Sequence, residues 1–127
     1  MDPSAIERNT KASLNGQFCE DYVKRNVPGI EWVGDTYDAM WNGKPVDVKG
    51  CEAWYDRHDL PNATRRAGRV TLEPEQKSEI EKGDGFYLCV VHIGELVIKS
   101  FFVPAVKVPD VKQLSWTTMQ KIASEAC

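Results

Sequence analysis

Asp38, Asp47 and Lys49 sit close together in the stretch YDAMWNGKPVDVKG. An acidic residue ends or enters one short strand, a tight turn at Asn42-Gly43 follows, and the next strand brings a second carboxylate and a lysine at alternate positions. Alternation puts Asp47 and Lys49 on one face of that strand and Val48 on the other. If the turn folds the strands back on each other, Asp38 comes beside the pair. Two carboxylates can hold a divalent cation in oxygen ligands, and a neighbouring lysine can orient water and offset phosphate charge. Those residue types suit hydrolysis of a phosphodiester.

The elements that must position these groups follow from periodicity and turn chemistry. Leu14, Phe18, Cys19, Tyr22 and Val23 form an apolar stripe at helical spacing, so a helix is expected from about Ala12 to Asn26, stopped by Pro28-Gly29. Glu20 borders that stripe and could reach toward a site or face solvent. Ile30 to Val33 reads as a first strand, and Tyr37 to Trp41 and Pro45 to Lys49 read as a hairpin around Asn42-Gly43, with Gly50 marking the strand end. Cys51 to Gly68 has no clear period and reads as a long functional loop. After an extended piece at Arg69 to Leu72, Pro74 suits the first turn of a helix running to about Lys82. Phe86 to Ile93 and Glu95 to Val103 read as paired strands, Val106 to Val108 as an edge segment, and Trp116 to Ala126 as a last helix capped by Ser115. The expected fold class is α/β, a mixed central β-sheet flanked by helices.

The length of 127 residues suits a single domain over 1–127, with 42% hydrophobic and 28% charged residues in an ordinary globular balance. No apolar run is long enough to span a bilayer and no secretory pattern opens the chain, so no membrane partner and a cytoplasmic location are expected. Cys19, Cys51, Cys89 and Cys127 are scattered, which argues against a zinc ribbon and against disulfides; Cys19 and Cys89 read as core residues. The net charge of −3 argues against indiscriminate nucleic-acid binding. Locally, however, Arg57, His58, Arg65, Arg66 and Arg69 lie in one segment with a single acid, Asp59. A basic loop can clamp phosphates even on an acidic protein, and Trp54 and Tyr55 could plug the core or stack on bases. The ordinary alternative is a solvated loop. His92, near a hairpin end, reads as structural.

The pattern resembles the PD-(D/E)xK nuclease superfamily, whose fold is also called restriction-endonuclease-like. Its motif places an acid at the start of one strand, then an acid, any residue and a lysine in the next. Asp38 would be the first acid, Asp47 the second and Lys49 the lysine, although Tyr37 stands where the motif has proline and Asp35 rivals Asp38. The resemblance implies a glutamate from the first helix, matched by Glu20, and a polar residue, commonly glutamine, in the helix after the motif, matched by Gln76. It implies Mg²⁺, with Mn²⁺ as substitute, held by Asp38, Asp47, Glu20 and the Val48 carbonyl. Lys49 would position the attacking water. Each residue also has a structural reading: Asp38 as a turn acid, Asp47 and Lys49 as a solvated charge pair, Glu20 and Gln76 as surface residues.

The expected activity is metal-dependent cleavage of DNA, with Arg57, Arg65, Arg66 and Arg69 as phosphate clamps. Within the resemblance, compact members include Holliday-junction resolvases, repair or phage nucleases and small restriction-type enzymes. The absence of an added specificity domain favours a structure-selective enzyme, while RNA remains open as substrate. Cutting two strands favours a homodimer, with Phe101, Phe102 and Val103 or the Trp116 helix as contact, unless those residues are monomer core. The competing class is a noncatalytic nucleic-acid-binding or assembly domain of the same fold.

Overall fold

The strand that carries Asp47 and Lys49 is the middle of the main sheet. In the computed structural model, residues 17–34, 36–57 and 64–126 are described, apart from the side chains of 55–57 and 64–65. A first helix, α1, is described over 17–26. β1 (Ile30–Trp32), β2 (Ala39–Trp41), β3 (Lys44–Glu52), β4 (Trp54–Arg57), β5 (Thr64–Ala67) and β6 (Arg69–Thr71) follow. Then come α2 (Pro74–Lys82), β7 (Phe86–Ile93), β8 (Leu96–Pro104), a 3-10 turn (Ala105–Lys107), β9 (Gln113–Ser115) and α3 (Trp116–Glu125). The main sheet has the order β1-β2-β3-β7-β8, antiparallel throughout except for the parallel β3–β7 pair. It is a mixed sheet flanked by helices, the restriction-endonuclease-like α/β architecture expected.

Local chemistry explains the framework. Asn42 and Gly43 both have positive φ, 52° and 77°. That is the turn whose twist matches antiparallel strands, and it sets Ala39 opposite Val46. Pro74 opens α2, and Ser115 caps α3 by accepting a hydrogen bond from the Thr118 backbone N–H at 3.3 Å. β7 reads as an almost unbroken apolar run because both of its faces are covered. On one face, Val46, Leu88 and Val90 pack under Cys19 and Val23 of α1. On the other, Tyr87, Cys89, Val91 and Val103 pack with Ile80 of α2 and Trp116 and Met119 of α3. Asp47 and Lys49 share this second face by alternation along β3.

Several expectations change. Gly50 does not end its strand; β3 continues to Glu52. Gly50 instead admits α1, since a Cβ there would stand 2.3 Å from Cys19 Sγ. The segment expected as an unstructured loop forms the antiparallel hairpin β4–β5, whose tip, His58 included, lies outside the described residues. Its strands are too polar to alternate visibly, and backbone pairing defines them. Val106 to Val108 is not an edge strand: Ala105–Lys107 turns as a 3-10 helix, and β9 pairs with β6. The expected helix before residue 17 lies outside the description. Val103 and Trp116 are buried in the core, while Phe101 and Phe102, on the edge strand β8, are half-buried against it, Phe102 stacked on Trp41 at 4.6 Å. Among the described residues, no helix is long and apolar enough to cross a membrane.

Candidate active site

β2 leaves β3 at the Ala39–Val46 pair, so the edge of β3 beyond Val46 has no β2 partner. Asp38 stands at this divergence. Its own carbonyl accepts from the Val33 and Gly34 N–H groups at 2.9 and 3.2 Å, which fixes the bend before β2. Its carboxylate Oδ2 accepts from the Val48 N–H at 2.9 Å. The side chain thus takes the place of the missing strand. In an extended strand the N–H and C=O of one residue face the same edge, so the Val48 carbonyl opens toward Asp38 as well.

Asp47 is 2% exposed, and its Oδ2 meets Lys49 Nζ at 3.0 Å. Burial pushes the Asp47 carboxyl up to about 7; the Lys49 ammonium opposes this, and the Asp38 carboxyl, within hydrogen-bonding reach, adds to it. The lysine therefore compensates only part of the cost of burying Asp47 beside a second acid, and a further positive charge would be welcome.

That demand and the donors present fit a hard divalent cation. Among the described residues, no group of three or more His, Cys, Asp or Glu side chains gathers to enclose a metal ion. Two carboxylates and a main-chain carbonyl are instead the donor count of a cation that keeps part of its water, as Mg²⁺ does.

The other expected residues are placed unequally. Gln76 lies on α2 with its Nε2 donating to the Thr36 carbonyl at 3.0 Å. It ties α2 to the bend that carries Asp38 and acts as a brace at that point. Glu20 pairs with Lys24 at 3.3 Å on α1, the helix over the opposite face of the sheet. Arg66 and Arg69 are exposed on β5 and β6, with no acid paired to them among the described residues. The side chains of Tyr55, Arg57 and Arg65, and Asp35 entirely, lie outside the description. Trp54 is 44% exposed and meets Trp116 edge-on at 5.8 Å. His92 is buried, its Nδ1 bonded to the Gly94 carbonyl at 3.0 Å, as a structural histidine would be.

Sequence reasoning passed over Tyr87. It pairs in register with Asp47 across the parallel β3–β7 ladder and is fully buried. Within FYLCVVHI it looks like one more core residue, and only the parallel pairing puts it beside the acid. Cys51, also buried, likewise joins Cys19 and Cys89 in the core.

The family model described as a PD-(D/E)XK nuclease superfamily domain matches residues 6–126. No curated protein matches the chain.

Proposed function

Because the chain belongs to the PD-(D/E)XK nuclease superfamily, we propose that it is a divalent-metal-dependent endodeoxyribonuclease with its centre at Asp38, Asp47 and Lys49. The observation that carries this reading is the buried Asp47 between Lys49 and Asp38, at the point where the β3 edge lies open. Asp38, Asp47 and the Val48 carbonyl would hold Mg²⁺, with Mn²⁺ as substitute. When bound, the cation would activate water and neutralise charge on the phosphate. Lys49 Nζ would hold the attacking water and meet charge growing on the scissile phosphate. Asp38 keeps one oxygen on the Val48 N–H, and the other would serve the cation. Gln76 holds the Thr36–Asp38 bend in register. Glu20 would have to leave Lys24 to contribute an outer ligand.

Arg66 and Arg69, with Arg57 and Arg65, are proposed to grip the phosphate backbone, Trp54 offering a ring for a splayed base. This arrangement supports a structure-selective enzyme, in the manner of junction resolvases or repair nucleases, more than a reader of long sequence. Association as a homodimer would use the exposed parts of the half-buried Phe101 and Phe102 on the edge strand β8, or of the Trp116 helix. Light scattering with and without DNA tests that association, and a persistent monomer rejects it.

The test of function is a cleavage panel of single-stranded, duplex, flap and four-way-junction DNA and RNA, with Mg²⁺, Mn²⁺ or EDTA. Metal-dependent cutting of DNA that is lost in Asp47→Ala and Lys49→Ala is expected. Cutting unchanged in either variant rejects the assignment. Inactivity on every substrate, with binding retained by Asp47→Ala, selects the noncatalytic nucleic-acid-binding alternative.

A further inference from the structure

Two buried side-chain polar atoms among the described residues have no hydrogen-bond partner, the Tyr87 hydroxyl and Gln76 Oε1. Neither is remote from the site. Tyr87 stands directly beside Asp47 on the same face of the sheet. Gln76 projects from α2, the helix whose Ile80 covers that face, and its amide nitrogen is already committed to the Thr36 carbonyl. Tyr87 is fully buried in the core cluster that includes Ile80 of α2. A buried hydroxyl without a partner lowers stability, and phenylalanine would fill nearly the same volume without that penalty. Such an orphan calls for an explanation, and ordered water is the usual one where the surroundings are polar.

We propose that Tyr87 is a positioning residue of the cation site, its hydroxyl donating a hydrogen bond to the hydration shell of a divalent cation carried by Asp38 and Asp47. This rests on the metal-dependent reading above. The hydroxyl suits the role because it can donate and has no competing acceptor. A tyrosine hydroxyl keeps its proton at neutral pH and so remains a donor. Gln76 Oε1 is a second buried polar atom without a partner, an acceptor on the helix that covers the same face of the sheet. Outer groups of this kind hold a cation's waters in fixed directions without touching the ion, and their loss weakens metal affinity about 10- to 100-fold.

The experiment compares wild type, Tyr87→Phe and Asp47→Asn. Mn²⁺ affinity is measured by the electron paramagnetic resonance signal of free Mn²⁺, and thermal stability is measured in EDTA. Tyr87→Phe is expected to melt at the same temperature as wild type or higher, yet to bind Mn²⁺ about tenfold more weakly. A higher melting temperature with unchanged Mn²⁺ affinity overturns the proposal and leaves the hydroxyl a plain packing defect. Failure of wild type to bind Mn²⁺ in an Asp47-dependent way overturns the metal-dependent reading itself, and this proposal with it. A second readout uses the wild-type chain and serves if Tyr87→Phe fails to fold. The Raman doublet of tyrosine should shift toward the hydrogen-bond-donor ratio on adding Mg²⁺, and an unmoved doublet counts against the proposal.

Discussion

Among the described residues, a lysine and two acids occur together twice on the helix-α2 side of this sheet, and the two groupings are built in opposite senses. In Lys77–Glu81–Asp110 the cation is the buried member: Lys77 is 5% exposed, bonded to Glu81 and at 3.0 Å to Asp110, while the acids reach into solvent. In Asp38–Asp47–Lys49 the anion is buried and the lysine leans over it. Burial works against the Lys77 charge, but hydrogen bonds to Glu81 and Asp110 outweigh it and hold its pKa above the ordinary lysine value. For Asp47 the balance goes the other way, and the carboxyl rises to about 7. A grouping satisfied in itself clamps structure, here α2 to the segment before β9. One that buries an acid against another acid keeps an electrostatic demand that an external cation can meet.

The comparison is broken most severely at Asp47. Asp47→Asn is expected to lower metal-dependent DNA cleavage by about a thousandfold or more. The same variant should melt higher in EDTA, because a charge that burial disfavours has been removed. Cleavage assays paired with melting curves check both halves, and a variant that is active or less stable contradicts the contrast. Lys77→Met should do the reverse, losing about 1–2 kcal/mol of stability by urea titration while Mn²⁺ affinity stays unchanged.

The pH dependence sharpens the same contrast. The folded pKa of Asp47 lies above its unfolded value, so between roughly pH 4 and 7 the native state holds the extra proton. Stability in EDTA therefore falls as pH rises through that window, and Asp47→Asn should flatten the fall. Lys77 stays charged throughout the window, so Lys77→Met should leave the slope in place; chemical denaturation across pH reads both. The smallest effect belongs to Asp110, whose side chain is 94% exposed. Asp110→Asn should change stability by less than about 1 kcal/mol, since a solvent-facing carboxylate adds little to an ion pair.

Asp38, Asp47 and Lys49 were legible because their placement is local. The Asn42-Gly43 turn sets the register, and alternation sets the face. Gln76 was singled out only through the family resemblance, and its acceptor on Thr36 was hidden because it belongs to a distant stretch of chain. Tyr87 was invisible for the same reason: its neighbour is chosen by a parallel ladder that no nearby sequence dictates. Phe101, Phe102 and Val103 carry the same apolar signature whether they fill a core or meet a partner, and only packing tells how they divide: Val103 is buried, and the two phenylalanines are half-buried. The β4–β5 hairpin escaped because Arg57, Arg65 and Arg66 interrupt any apolar alternation, while its pairing runs through the backbone.

The parallel β3–β7 ladder also orders events in time. The turn at Asn42-Gly43 can close within microseconds, bringing Asp38 to the Val48 N–H early. Tyr87 reaches Asp47 only when the chain has looped back from β3 to β7, a non-local closure that is slow by comparison. Until then the edge of β3 that meets β7 has no partner. Nascent chains are therefore most vulnerable to sticking together in the interval between translation of β3 and docking of β7.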